Sequence, residues 1–321
     1  MRKIAAVTPF ADDKHRAKIT ETAARCGFTV DFYHGDTLPE EKAAEYEVIF
    51  GMPRRDCLKT ATNLKWFCAS FAGVDSVVDD KYYANPDVIL TNSAGAYGTT
   101  IAEHIIMVTL TLLRRMPDFQ QIVRERRWVQ SLPMRSIYGS TITVLGTGDI
   151  GTSFARRAKA MGAAKIYGVR RSKKAGDACY DAIYTHDELD QVLPKTEILV
   201  MALPSTPDTI GILSRERIAL LPPEAIVVNV GRGTAIDQDA LMEALNTERI
   251  AGAALDVMIP EPLPADHPLW DTKNLLLTPH VSGNMSLPLT RDKDVDMFCE
   301  DLENYAAGRP LLRLVDRKRG Y

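Results

Sequence analysis

No two of the five cysteines (Cys26, Cys57, Cys68, Cys179 and Cys299) stand in a Cys-x-x-Cys pair. Scattered and odd in number, they argue against a disulfide framework and against a zinc site, and the expected compartment is a reducing, cytoplasmic one. Charge of one sign is lacking as well. The 39 Lys and Arg against 42 Asp and Glu leave a formal net charge of −3, which excludes a strongly basic nucleic-acid binder and a long acidic tail. No stretch approaches the ~20 apolar residues of a membrane span. Met1-Arg2-Lys3 followed by Ile4-Ala5-Ala6-Val7 copies the start of a signal peptide, but the run ends at Thr8-Pro9-Phe10 with Asp12-Asp13-Lys14 beyond. That is too short for a leader and reads as a first buried strand. Low-complexity tracts and short-period repeats are absent.

What remains is an ordinary globular composition, 45% hydrophobic and 25% charged over 321 residues, enough for about two domains. Short apolar runs alternate with helical patterns, which predicts parallel α/β architecture. A first series of strands is expected at Ile4–Thr8, Thr29–Tyr33, Glu47–Phe50, Leu64–Ala69 and Val88–Thr91, with a helix at Asp13–Cys26. Next, Ile101 to Leu113 is almost wholly apolar; the expected helix is capped by Thr99 or Thr100, stopped by Pro117 and buried all round. A second series is expected at Thr141–Leu145, Lys165–Val169, Ile198–Leu203, Ile226–Val230, Ala251–Leu255 and Leu275–Leu277. A last helix spans Leu289–Ala307 and ends at Gly308-Arg309-Pro310.

Gly146-Thr147-Gly148-Asp149-Ile150-Gly151 directly follows the strand Thr141–Leu145 and opens a helical segment, Thr152–Met161, before the next strand. In that strand–turn–helix setting the first glycine permits a tight turn and the second lets the backbone approach a pyrophosphate. The third lets the helix pack close to the strand. A dinucleotide is the expected ligand. A site for NAD normally ends its second strand with an acid on the ribose hydroxyls. Here Val169 runs into Arg170-Arg171-Ser172-Lys173-Lys174, whose guanidinium forks and hydroxyl suit a 2′-phosphate, so NADP is expected in preference to NAD.

Three further clusters follow the last strands: Asn229-Val230-Gly231-Arg232-Gly233, then Leu255-Asp256-Val257 with Glu261-Pro262-Leu263, then Pro279-His280-Val281-Ser282-Gly283. All lie at carboxyl ends of parallel strands, where open α/β sheets bind ligands. Together with Ser70-Phe71-Ala72-Gly73-Val74-Asp75, Thr91-Asn92-Ser93, Ala102-Glu103-His104 and Leu203-Pro204 with Thr209, the sequence resembles the D-isomer-specific 2-hydroxyacid dehydrogenases over nearly its whole length.

The resemblance implies two flavodoxin- or Rossmann-like parallel-sheet domains around a cleft. The dinucleotide domain (99–286) is inserted into a substrate domain (1–98 and 287–321). It also implies hydride transfer between NAD(P)H and a small 2-keto or 2-hydroxy acid of the glyoxylate or hydroxypyruvate type, by a homodimer with no metal. Phosphoglycerate dehydrogenase is the nearest rival activity and a nucleotide-sensing corepressor a more distant one. Formate dehydrogenases pair the histidine with glutamine where Glu261 stands. The chemistry asks for these residue types. A developing alkoxide needs a proton, which a histidine, with its ordinary pKa of ~6.5, supplies near neutral pH; His280 is that candidate. Arg232 suits a substrate carboxylate because its fork binds bidentately. By resemblance, Glu261 assists His280, Ala72, Gly73 and Val74 offer the substrate backbone contacts, and Asp256 holds the nicotinamide carboxamide. Gly146–Gly151, Arg170, Arg171, Ser172, Leu203, Pro204, Thr209, Val230, Gly231, Arg232, His280 and Gly283 complete the expected cofactor set. His104 is expected to be structural, and His15, His34, His186 and His267 show no partner pattern. Arg54, Arg55 and Lys65 form either a solvated face or a reach toward a second substrate anion. The stretch Arg114–Ser136, with Phe119, Ile122, Val123, Trp128, Val129 and Leu132, is the expected dimer contact.

Overall fold

The computed structural model describes residues 2–35, 37–173 and 177–321. In chain order its elements are β1 (Arg2–Val7), α1 (Asp13–Arg25), β2 (Phe28–Tyr33), β3 (Val48–Gly51), α2 (Arg55–Thr60), β4 (Trp66–Ala69), β5 (Ile89–Thr91), α3 (Gly98–Leu113) and α4 (Met116–Arg124). Then come β6 (Thr141–Leu145), α5 (Asp149–Ala160), β7 (Lys165–Val169), β8 (Ala182–Tyr184), α6 (Leu189–Val192), β9 (Ile198–Met201), α7 (Arg215–Leu220), β10 (Ile226–Asn229), α8 (Gln238–Asn246), β11 (Gly252–Leu255), β12 (Leu275–Leu277) and α9 (Pro288–Ala306). The chain divides into two compact units, Met1–Tyr97 with Met285–Tyr321, and Gly98–Asn284.

The first unit holds a parallel sheet in the order β2-β1-β3-β4-β5, the flavodoxin-like arrangement that reverses direction between β1 and β3. Side chains alternate across it, as the pleat requires. Ile4, Val48, Phe50 and Trp66 face one way, under α1 and α9. Ala5, Val7, Ile49 and Phe67 face the other, where Leu58 of α2 packs. Phe298 of α9 stacks on Phe50, ring centroids 4.0 Å apart, and lies 5.6 Å from Trp66. The returning helix is thus part of the core of this sheet.

The second unit holds a seven-stranded parallel sheet, β12-β11-β10-β9-β6-β7-β8. Read from β8, this is the doubly wound order of dinucleotide-binding domains, with its switch point between β6 and β9. Helices α3 and α5 pack on each other and on the sheet. On the sheet's other face, α6, α7 and α8 bury Leu145, Leu199, Met201, Val227 and Leu255.

Several local expectations change. Helix α3 begins at Gly98, so Thr99 and Thr100 lie inside it rather than capping it. The carboxylate of Asp149 occupies the space beside Gly98 that a Cβ would fill, so the acid favoured at a helix N-terminus comes from α5. Pro117 does not stop α3. The break is at Arg115, in the left-handed region at φ 55°, and Pro117 stands in the first turn of α4, where a missing N–H costs nothing. Nor is α3 buried all round, since Glu103 and Met107 are exposed. Helix α5 starts at Asp149, inside the glycine loop rather than after it. Strand β8, Ala182–Tyr184, is missing from the sequence expectation. Among the described residues all five cysteines are free, no cluster of His, Cys, Asp or Glu could hold a metal ion, and no helix is long and apolar enough to cross a membrane.

Candidate active site

Three adjacent strands of the second sheet end at the expected residues. Past β10, the Asn229 side chain folds the turn: its amide donates to the Arg232 carbonyl at 2.9 Å, and its oxygen accepts from the Gly231 N–H at 3.0 Å. Gly231 packs against the backbone of Leu203, and Gly233 against that of Met258. Arg232 is therefore held between two close backbone approaches, half-buried, with one guanidinium N–H on the Gly231 carbonyl at 2.8 Å.

Past β12, His280 sits in the left-handed region at φ 53°, a conformation that costs a non-glycine residue free energy and persists only where its surroundings fix it. The fixing group is Asp256, only 2% exposed, at the end of β11. Its carboxylate accepts from the Thr278 hydroxyl at 2.6 Å, the Val281 N–H at 2.9 Å and the Ser282 N–H at 3.0 Å, and its carbonyl accepts from the His280 N–H at 2.9 Å. Burial alone would raise the Asp256 pKa. The hydroxyls of Ser282 and Thr278 and the two N–H groups outweigh it and hold the group below its ordinary value. Asp256 thus braces the loop that carries His280.

The sequence gives no hint that His104 joins this network. Its Nε2 lies 3.3 Å from the Thr278 hydroxyl and 4.0 Å from Asp256. Because Thr278 gives its proton to Asp256, His104 must be the donor to Thr278. Burial lowers its pKa, only partly countered by Asp256, so the neutral ring with its proton on Nε2 fits.

The Nδ1 of His280 lies 2.7 Å from Glu261 Oε2, and the other oxygen of Glu261 accepts from the Met258 N–H at 3.0 Å. A carboxylate can only accept, so Nδ1 carries a proton and Nε2 is the nitrogen left to act. An apolar pocket of about 630 Å³ opens beside the pair, lined by Met258, Pro262, Leu263, Trp270 and Leu277.

The glycine loop fits a dinucleotide. Gly146 turns at φ 96°, and a Cβ on Gly151 would strike the Gly146 carbonyl and Val144, so only glycine lets α5 approach β6 this closely. Beside Gly148, by contrast, there is open space, and no side chain caps the N-terminus of α5. Its free N–H groups and the positive end of its dipole face a position where nothing but backbone competes for an anion. Thr147 packs toward Gly168 of β7, and Ile150 is half-buried in the first turn of α5. At the end of β7, Arg170 is half-buried and Arg171 and Ser172 are exposed, with no acid among them. Lys173 is engaged by Glu188 at 2.8 Å; Lys174 lies outside the described residues. Leu203 and Val230 are buried at neighbouring strand ends, and Gly283 is half-buried beyond Ser282. Thr209 works within its own loop, donating to the Pro204 carbonyl at 2.6 Å and accepting from the Thr206 N–H at 2.9 Å.

In the first unit, the loop after β4 is pinned by the segment after β5. Tyr97 donates to the Ser70 carbonyl at 2.6 Å, the Ser93 N–H to the Phe71 carbonyl at 3.3 Å, and the Asn92 amide to the Ala72 carbonyl at 2.7 Å. With the carbonyls taken up, the N–H groups of Gly73 and Val74 donate to no protein acceptor among the described residues, which suits them to an anion. Arg54 follows the carboxyl end of β3, on the same sheet edge. Arg55 stacks over the Tyr82 ring, 4.4 Å from its centroid. Lys65 precedes β4, at the opposite edge, and faces Glu47 at 3.7 Å, so the reach toward a substrate anion is excluded for it by topology. His15, expected to lack partners, is buried between Asp12 and Asp292, at 2.7 and 2.9 Å.

Residues 106–282 match the family model described as D-isomer specific 2-hydroxyacid dehydrogenase, NAD binding domain. Glyoxylate/hydroxypyruvate reductase A of Escherichia fergusonii is 30% identical over 306 residues, 89% of this chain and 94% of that one. A D-isomer specific 2-hydroxyacid dehydrogenase from Xanthobacter autotrophicus, solved in complex with NADPH and MES, is 30% identical and superimposes with a TM-score of 0.83 over 100% of this chain and 99% of that one. An NADPH-dependent glyoxylate/hydroxypyruvate reductase from Sinorhizobium meliloti, solved with NADP and sulfate, is 26% identical with a TM-score of 0.84 over all of both chains. With more than half of its length inside that model and a relative at this identity spanning most of it, the chain belongs to the D-isomer-specific 2-hydroxyacid dehydrogenases, a family of NAD(P)-dependent oxidoreductases.

Proposed function

We propose that this protein is a reductase of small 2-keto acids of the glyoxylate or hydroxypyruvate class, with NADPH as its preferred reductant. The observation that carries the reading is the His280–Glu261 pair at 2.7 Å, one strand from Arg232, in a chain whose relatives include glyoxylate/hydroxypyruvate reductases. When bound, the nicotinamide supplies the hydride. His280, through Nε2, gives a proton to the keto oxygen as charge develops on it. Glu261 holds the ring by Nδ1 and so fixes Nε2 as the nitrogen that acts. Arg232 orients the substrate carboxylate and polarises the carbonyl. In the other unit, the N–H groups of Gly73 and Val74 are donors for a carboxylate. The open space at Gly148 receives the pyrophosphate, and Arg170, Arg171 and Ser172 receive the 2′-phosphate. Apart from His280 itself, the apolar pocket is lined by no Lys or Arg for a substrate phosphate, which disfavours a phosphorylated substrate.

The test is loss of NADPH absorbance across a panel of 2-keto acids. Glyoxylate and hydroxypyruvate should be turned over, with kcat/KM for NADPH about tenfold to a hundredfold above that for NADH, the scale of one or two charge-assisted hydrogen bonds. A ratio favouring NADH overturns the cofactor assignment, and an inert panel overturns the activity.

A cytoplasmic homodimer completes the reading. None of the residues of α4 is buried, and Val123, Trp128 and Tyr138 are 66, 89 and 77% exposed. Large apolar side chains this exposed on one arm suit a contact with a second subunit. Light scattering should give about twice the chain mass of 35.6 kDa, and Trp128→Asp should shift the mass toward one chain. A wild-type mass of one chain ends the proposal.

A further inference from the structure

The first unit buries a carboxyl that the chemistry above does not use. Asp294, on α9, is 1% exposed. The Ser93 hydroxyl meets its Oδ1, and the same hydroxyl lies 2.9 Å from the Ala69 carbonyl. The Ser70 hydroxyl faces the carboxyl without reaching hydrogen-bond geometry, which leaves Ser70 Oγ and Asp294 Oδ2 buried and unpartnered among the described residues. Ser93 stands next to Asn92, and Ser70 opens the loop whose carbonyls Tyr97, Ser93 and Asn92 hold.

We propose that Asp294 is a positioning residue for the loop Ser70–Val74, acting through Ser93 and Ser70, and that its protonation tightens that loop. This rests on the reading of Gly73 and Val74 as donors to the substrate carboxylate.

The argument is a proton count. A hydroxyl has one hydrogen to give. If Asp294 is protonated, it donates to Ser93, and Ser93 gives its own hydrogen to the Ala69 carbonyl at the root of the loop. If Asp294 is ionised, Ser93 must spend that hydrogen on Asp294, and the buried Ala69 carbonyl loses its side-chain donor. Burial raises the carboxyl to about 6, against the lowering effect of the Ser93 and Ser70 hydroxyls, Arg313 and His15. The switch therefore lies within the working range of pH. Of the other titratable groups facing it, Cys68 and Tyr97 are both pushed upward by burial and stay neutral there. Arg313 is committed to Asp301 at 2.9 Å and to the Met297 carbonyl at 2.6 Å. A carboxyl raised above its ordinary value favours the folded arrangement below that value, and the contribution fades as pH rises through about 6.

Asp294→Asn separates this role from simple packing, because its amide donates to Ser93 at every pH. The measurement is KM for glyoxylate from pH 5 to 8 in the wild type and the variant, with the dissociation constant for NADPH measured in parallel. Every other pH-dependent contribution to KM is common to both proteins, so the ratio of their KM values isolates Asp294. The ratio of wild type to Asp294→Asn should be near 1 at pH 5 and rise to about threefold to tenfold at pH 8, with NADPH binding unchanged. Ser93→Ala, which leaves the carboxyl in place, should raise KM at pH 5 by a similar factor. A flat ratio, or a Ser93→Ala variant with wild-type KM at pH 5, overturns the proposal. If the wild type turns over no 2-keto acid, it is the functional reading that falls.

Discussion

Replacing His280 by asparagine is expected to lower kcat for 2-keto acid reduction by at least ~10²-fold, the scale of lost general acid–base catalysis. Asparagine is the informative choice because His280 occupies the left-handed region at φ 53°. Asparagine tolerates that conformation, whereas alanine adds roughly 1–2 kcal/mol of backbone cost. The two variants should nevertheless lose similar activity, since both lack the imidazole, and both should bind NADPH. Glu261→Gln behaves differently. The glutamine oxygen still accepts from Nδ1, so the ring stays oriented, but the counter-charge at 2.7 Å is gone. The acid itself remains in place, so kcat should fall by roughly tenfold, well short of the loss in His280→Asn. A His280→Asn variant with near-wild-type kcat, or a Glu261→Gln variant with wild-type kcat, removes the assigned acid and its partner.

The second large effect concerns two glycines three residues apart. A Cβ at Gly151 meets the Gly146 carbonyl and Val144, whereas a Cβ at Gly148 meets nothing within 4 Å. Gly151→Ala therefore forces α5 away from β6, and overpacking of this kind costs typically ~1–3 kcal/mol. Its melting temperature should fall, and NADPH affinity should fall with it. Gly148→Val should leave the melting temperature of the free protein close to wild type, because its side chain enters open space, yet weaken NADPH by about a hundredfold or more, because that space is the one proposed for the pyrophosphate. Thermal melts with and without NADPH separate the cases: Gly148→Val loses the stabilisation that bound cofactor confers while keeping the baseline. If Gly148→Val instead bound NADPH as the wild type does, the cradle would lie elsewhere.

Much of the architecture was legible because buried parallel strands are continuous apolar runs. Thr141–Leu145, Lys165–Val169 and Leu275–Leu277 have the expected bounds. The edge strand β8 was not legible, whereas the equally short and half-buried edge strand β12 was, because Ala182-Ile183-Tyr184 is a weaker apolar signal than three leucines. The end of α3 was misassigned to Pro117 because proline is a strong stop signal, while an arginine in the left-handed region leaves no trace in sequence. Within the site, His280 and Glu261 were readable as chemistry-bearing types at strand ends, and the structure brings them together. The supporting groups were not. Thr278, His104, Asn92 and Asp294 act through partners far apart in the chain, as Ser93 and Asp294 do across 201 residues. Spacing alone carries no sign of a long-range hydrogen bond.

The returning helix sets the order in which the protein is made. Residues 98–284 are contiguous and close their own core, so this unit has all its strands and helices as soon as β12 has left the ribosome. The five strands of the other sheet are synthesised first, yet the aromatic side of that sheet stays only partly covered, by α1, until Phe298 arrives to stack on Phe50 and Trp66. For the time needed to add about 200 further residues, roughly ten to forty seconds at typical elongation rates, Ile4, Val48, Phe50 and Trp66 have α1 but lack the cover that α9 supplies. The segment made first is finished last. It is the early chain, rather than the nucleotide fold, that has most need of chaperone cover during translation.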